Sequence, residues 1–331
     1  MLRIHFTDAD LARTRVAAAP DPLWEITFSL HRFQTRQGRW AYADWHRRAL
    51  AALSEKGLGR ALPTRLLPLF PRAAYFPDFL NPAEASLGLA AGLAAIVDTP
   101  PDRVRNEVGR LAGQPTGAPS WLTGLTEKEN REELAAALKD YYNAAIAPYD
   151  DQIRARLDSD RHIRCRALLH GGVERLLGSF GATMRWRAPV LHVDYPVEDR
   201  DLHLGGRGLL LVPSYFCWRI PVALSDPELP QVLVYPLHPV SAPEAVGNRS
   251  ERPLAVLLGR TRANVLRSTV TGATTGELAR AAGISASAAS QHTTALRDAG
   301  LISTRRNAGS VLHTLTPLGA SLLRIGRPGG P

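Results

Sequence analysis

The chain has 331 residues, 45% of them hydrophobic and 21% charged. That is a length for about two domains and a composition that excludes global disorder, a collagen-like fibre and a disulfide-stapled miniprotein. The formal charge of +9 is unevenly spread: after residue 250 ten Arg face only Glu251, Glu277 and Asp298, a net of +7 that leaves +2 for residues 1–250, so the last quarter suits a polyanion partner.

The first ten residues carry Arg3, His5, Asp8 and Asp10 and no apolar run, so no secretory leader is expected there. Helical spacing with Pro or Gly stops then predicts helices over 8–18, 22–33, 40–56, 85–97, 102–112, 126–147 and 161–177. Thr126 and Glu129 have the spacing of a capping box on the longest of them. The longest uncharged, mostly apolar run is 85–97, well short of the roughly 20 residues of a membrane helix, so no membrane is expected as a partner. Only Cys165 and Cys217 occur, with no thiol-motif spacing, which fits a reducing cytoplasm and no Cys-rich metal site.

Strands follow over 190–194, 209–212 and 232–235, short branched apolar runs between Gly- and Pro-containing turns. The polar stretch 241–253 has two prolines, a glycine and no period, which marks a linker. The expected organisation is therefore α+β: an α-rich domain with a few strands over 1–245 and a second domain over 246–331.

In the second domain, Leu254, Leu257, Leu258, Val265, Leu266 and Val270 repeat at helical spacing. Thr275 precedes a short helix over 276–282 that Gly283 stops, and Ser285 stands as N-cap of another over 286–299, which ends at Gly300. Two helices joined by a short Gly-containing turn form a helix-turn-helix. At 100° per residue Ala289, His292, Thr293 and Leu296 share one side of the second helix, and Ser287, Ser290, Gln291, Thr294 and Asp298 the other. A small polar face of this kind suits the major groove, where base edges offer donors and acceptors, although a solvated face has the same pattern. Two strand-like runs, 301–306 and 311–315, joined by Asn307-Ala-Gly-Ser310, predict a hairpin with Arg305 and Arg306 at its tip. Thr316 and Pro317 then open a last helix as N-cap and first helical residue.

Gly-Glu-Leu-Ala-Arg-Ala-Ala-Gly-Ile-Ser at 276–285, Ser290-x-His292, Leu296-Arg-Asp-Ala-Gly-Leu-Ile302 and Leu315-Thr-Pro-Leu-Gly319 together resemble the winged helix of ArsR-type bacterial transcription regulators. The resemblance covers about 70 residues. It implies double-stranded DNA as partner and, with the economy of reading palindromes, a homodimer. The expected DNA-binding residues are Thr275, Ser285, Ser287, Ser290, Gln291 and Thr294, with Gln291 able to pair with an adenine. The recognition face has no Lys or Arg in its first two turns, so phosphate attraction falls to Arg305, Arg306, Arg260 and Arg262. Metal-sensing relatives carry Cys-x-Cys ligands before the recognition helix, or Asp and His on the closing helix. Residues 277–282 and 318–324 have none of these, so metal sensing does not carry over.

Residues 1–245 resemble, in general organisation only, the region ahead of such winged helices in some actinobacterial regulators. Their aromatics, including Trp24, Phe28, Trp40, Trp45, Tyr75, Phe76, Tyr141 and Tyr142, serve either core packing or a pocket for a small organic effector. His192, Asp194 and His203 lack zinc spacing, Gly205-Gly-Arg-Gly208 reads as a hairpin turn rather than a phosphate loop, and Ser214 has no nucleophile elbow. No catalytic residue, metal ligand or cofactor motif stands out. The function expected is a cytoplasmic DNA-binding regulator, a repressor answering to an organic effector. The alternative is an enzyme or partner-protein-binding domain fused to a winged helix used for anchoring or autoregulation.

Overall fold

The computed structural model describes residues 1–37, 41–72, 75–112, 119–195, 199–226, 229–237, 252–270, 272–307, 310–316, 318–319 and 322–323. Contacts divide the chain into two compact units, one of Met1–Leu157 with Arg161–Leu237 and one of Asp158–Asp160 with His238–Pro331. The expected linker and the boundary at 245/246 lie outside the described residues, apart from Arg252 and Pro253.

The N-terminal unit begins with β1 (Leu2–His5), α1 (Asp8–Arg13) and β2 (Arg15–Val16), followed by α2 (Pro22–Phe33), α3 (Ala43–Glu55), α4 (Leu89–Val97), α5 (Pro101–Ala112), α6 (Lys128–Ala145) and α7 (Asp150–Leu177). Six further strands close it: β3 (Met184–Arg187), β4 (Val190–Val193), β5 (Arg200–His203), β6 (Leu210–Ser214), β7 (Val222–Ala223) and β8 (Val232–Pro236). They form two four-stranded sheets, in the orders β3-β4-β1-β5 and β2-β6-β8-β7.

Alternation along the strands stacks these layers. Leu2, Ile4, Leu191, Val193 and Leu202 of the first sheet share a core with Leu211, Leu233 and Tyr235 of the second. The second sheet turns Val212, Val232 and Val234 the other way, into the helical core with Leu23, Ile26, Phe28 and Leu138. It is therefore buried on both faces, while the first sheet leaves Arg185, Asp201 and His203 exposed on its outer face.

Several sequence expectations change here. The helix expected over 8–18 stops at Arg13, because Thr14 turns extended and caps α1 with its hydroxyl on the Asp10 carbonyl at 2.7 Å; β2 follows. The helix over 85–97 is split by Gly88 at φ 121° into a 3₁₀ turn and α4. No capping box forms on Thr126, whose hydroxyl donates to the Thr123 carbonyl, and α6 starts two residues later. The helix expected from 161 begins at Asp150 and is broken at Gly171 and Gly172. The Gly205–Gly208 stretch is no hairpin turn but a passage from one sheet to the other. Gly208 is forced there: at φ 78° a Cβ would lie 2.6 Å from the Arg13 Cβ and 2.7 Å from the Arg13 backbone, and its N–H donates to the Asp10 carboxylate at 2.9 Å. Among the described residues no helix is long and apolar enough to cross a membrane.

The C-terminal unit contains α8 (Arg252–Leu258), α9 (Arg260–Ser268), β9 (Ala273–Thr274), α10 (Thr275–Ala282), α11 (Ala286–Asp298), β10 (Ile302–Asn307) and β11 (Ser310–Leu315). The single helix expected over 254–270 is two, because Gly259 at φ 81° separates them. β10 and β11 form an antiparallel hairpin whose second strand also pairs with β9. Val265, Leu266, Ala273, Leu278, Ala279, Ala289, Leu296, Leu301 and Ile302 make the core. The whole chain is α+β, and this unit is a winged helix-turn-helix.

Candidate nucleic-acid interface

Local chemistry fixes the helix-turn-helix. Thr274 caps α10 in a reciprocal box: its hydroxyl accepts from Glu277 N at 3.3 Å, and the Glu277 carboxylate accepts from Thr274 N at 2.9 Å. The cap is thus Thr274, and Thr275 is the first helical residue. Gly283 leaves α10 in the left-handed region at φ 65°, and Ile284 N returns to the Ala279 carbonyl at 2.9 Å. Ser285 then caps α11 by accepting from Ala288 N at 3.2 Å, as its position implied. Gly300, at φ 70°, turns the chain into the hairpin.

The faces of α11 separate largely as the helical wheel requires. Ala289, Thr293 and Leu296 are buried and His292 is half-buried, whereas Ser287, Ser290, Gln291, Thr294 and Asp298 are exposed. Thr293 satisfies its hydroxyl on the Ser290 carbonyl at 3.0 Å. From Ser287 to Thr294 the outward row therefore consists of short hydroxyls around one long amide, all able to donate and accept, and Asp298 at its end pairs with Arg297 at 2.9 Å.

The other expected contacts divide into three groups. Arg260 and Arg262 lie exposed on the first turn of α9, and Arg305 is exposed on β10. Arg306 pairs through its backbone with Val311, next to the end of the hairpin; its side chain lies outside the described residues. Ser285 and Thr275 are engaged internally. The Ser285 hydroxyl caps α11 and lies 3.0 Å from that of Ser287, and the half-buried Thr275 hydroxyl bonds His313 Nε2 at 3.0 Å.

His313 was not singled out in the sequence. Its ring is buried on β11, with Nε2 on Thr275 and Nδ1 3.0 Å from the Thr304 hydroxyl, so one imidazole ties the start of α10 to both wing strands. Burial, then the charge of Arg297, holds it below the usual histidine range, which keeps it neutral at pH 7 with one ring nitrogen donating and the other accepting. The available signal was the period of two: His313 stands between Val311 and Leu315 on one side of its strand. Ser303 and Thr314 link the hairpin on its other side at 2.7 Å. No group of three or more His, Cys, Asp or Glu able to hold a metal occurs among the described residues.

Residues 272–304 match the family described as bacterial regulatory protein, arsR family. No curated protein and no solved structure matches the chain. The matched span covers β9, α10, α11 and the start of β10. Sequence match and fold agree that this segment is an ArsR-type helix-turn-helix, a DNA-binding module of transcription regulation.

Proposed function

We propose that the protein is a cytoplasmic transcription regulator that binds an operator in double-stranded DNA as a homodimer, represses, and is released by a small organic effector held in the N-terminal unit. The observation that carries the DNA part is the exposed row Ser287, Ser290, Gln291 and Thr294 on α11, in a unit that also exposes Arg260, Arg262 and Arg305. Hydroxyls and an amide read base edges, and arginines hold phosphates. A two-fold dimer supports the reading because it places two recognition helices on a palindrome. In this reading the N-terminal unit binds its ligand without turning it over, and needs neither metal nor cofactor. A ligand moves such an equilibrium only if the DNA-competent and DNA-incompetent states bind it differently.

The test begins with fragmented genomic DNA, retention on the full-length protein and sequencing of what is retained. Operator affinity is then measured for the full chain and for residues 252–331, with and without a metabolite extract. The expected result is one recurrent palindrome, released by the extract only from the full chain. Retention without any sequence preference, or equal release of both forms, refutes the reading.

A further inference from the structure

Helix α2 crosses the N-terminal unit with every residue from Pro22 to Arg32 buried. Such a helix must satisfy its polar side chains internally. Glu25 accepts from Ser214 Oγ at 3.1 Å, Tyr215 N at 2.7 Å and Phe216 N at 3.1 Å. Thr27 meets Asn81 at 3.0 Å, and Ser29 meets Tyr141 at 2.9 Å.

Arg32 breaks the pattern. It is 7% exposed, and its Nε is buried with no hydrogen-bond partner. Among the described residues its single hydrogen bond runs from Nη1 to the Gln37 carbonyl at a long 3.4 Å. No carboxylate forms an ion pair with it among the described residues. A lone cation taken out of water is among the costliest features a fold can hold, unless an anion offsets it. A lysine would escape by losing its proton; a guanidinium does not.

Among the described residues the neighbours supply no counter-charge. The Tyr42 ring lies 5.8 Å from the Arg32 Cζ, but its hydroxyl donates to the Tyr215 carbonyl at 2.7 Å. The Cys217 thiol, within electrostatic reach of Arg32, donates to the Ile220 carbonyl at 3.3 Å. Burial raises both groups above their ordinary pKa values, so both stay neutral. The ring shown over the guanidinium is that of Tyr42, Arg72 adds a second positive charge within electrostatic reach, and Tyr42 opens onto an aromatic cluster. Tyr42 packs on Phe216 at 5.6 Å, Tyr215 at 5.7 Å and Trp218 at 5.6 Å between ring centroids, and Trp218 is half-buried, at the solvent side of the cluster.

We propose that Arg32 anchors an oxyanion-binding site in the N-terminal unit and that its ligand is a small aromatic carboxylate. The carboxylate takes the planar fork of the guanidinium, which matches two oxygens at once, and the ring packs among Tyr42, Phe216 and Trp218. This rests on the effector role assigned to the unit above, and gives that effector its chemistry.

The full-length protein is melted alone and with benzoate, phenylacetate, benzamide or inorganic phosphate. Benzoate or phenylacetate should raise the Tm by about 5 °C or more at 100-fold its Kd. Benzamide, with the ring and no charge, and phosphate, with the charge and no ring, should do far less. Arg32→Met should abolish the response while the free protein melts at an unchanged or higher temperature, because the unpaired charge has gone and the stem has been replaced. Arg32→Lys keeps a charge, loses the fork and should respond weakly. The proposal is overturned by no response to either carboxylate, by benzamide matching them, by a response that survives Arg32→Met, or by a marked fall in the stability of unliganded Arg32→Met. The melt contains no DNA, so a benzoate shift with unchanged operator affinity keeps the site and removes only its sensor role.

Discussion

Replacing His313 by alanine tests how the wing is held to the helix-turn-helix. The change deletes two hydrogen bonds of 3.0 Å, each worth about 1 kcal/mol net, and empties a buried ring site at a further cost of about 1–2 kcal/mol. The expected loss is about 3–4 kcal/mol. The span 252–323 of this unit, about 70 residues, holds roughly 4–11 kcal/mol in all, so one side chain accounts for a quarter or more of it. Native-state hydrogen exchange reads this directly, because amides of α10, α11 and β10 should lose protection together while those of β6 and β8 do not change. The wild type should also show a pH signature. The folded imidazole titrates below the ordinary 6.5, so between the two values the unfolded chain holds the extra proton. Stability is then full above about pH 6.5 and falls as pH drops towards the folded value; in the alanine variant that slope disappears. A loss under 1 kcal/mol, or an unchanged acid slope, would falsify the account of His313 as a neutral bridge.

Gln291→Ala should cost about 1–3 kcal/mol on the preferred operator and little on random DNA; fluorescence anisotropy on both sequences checks this, and equal losses would make Gln291 a backbone contact. Arg305→Ala should flatten the slope of log affinity against log salt by about 0.9, and replacement of Arg306 as well by about twice that, so an unchanged slope takes the wing off the phosphates. Burial outweighs the three hydrogen bonds to Glu25 and pushes its carboxyl up to about 7 from an ordinary 4.5. Its contribution is therefore present below about pH 4.5 and lost as pH rises through 7. Urea unfolding at pH 5 and pH 8 should show Glu25→Gln removing that part of the pH dependence, and identical profiles for the two proteins would mean that Glu25 does not titrate there.

The C-terminal unit was legible because its signals are local. Caps, left-handed glycines and a short hairpin each depend on residues a few positions apart; what the sequence did not show is the break at Gly259 inside an otherwise continuous apolar spacing, the cap on Thr274 rather than Thr275, and the two-residue β9. In the N-terminal unit legibility followed burial. β6 and β8, covered on both faces, read as apolar runs, whereas β1, β3 and β5 carry Arg3, His5, Arg185, Arg187, Asp201 and His203 on an outer face and did not look like strands. Within the interface, exposure of the α11 row followed from helical period alone. The role of His313 needed the partner strand, which no local pattern supplies. That no carboxylate pairs with Arg32 among the described residues was equally invisible, since it depends on which side chains the fold brings around it.

The place of β1 in its sheet bears on how the chain is made. β1 lies between β4 and β5, and Arg3 meets Asp201 across 198 residues of sequence. During synthesis the first strand leaves the ribosome with an apolar face and two open edges, and most of the unit must follow before either partner exists. Such long-range closure is slow and exposed to wrong pairing, whereas the winged helix, built from neighbours, can form as soon as it emerges. A nascent chain halted before residue 190 should thus be bound by holdase chaperones through β1, and release from them should coincide with the appearance of β4 and β5.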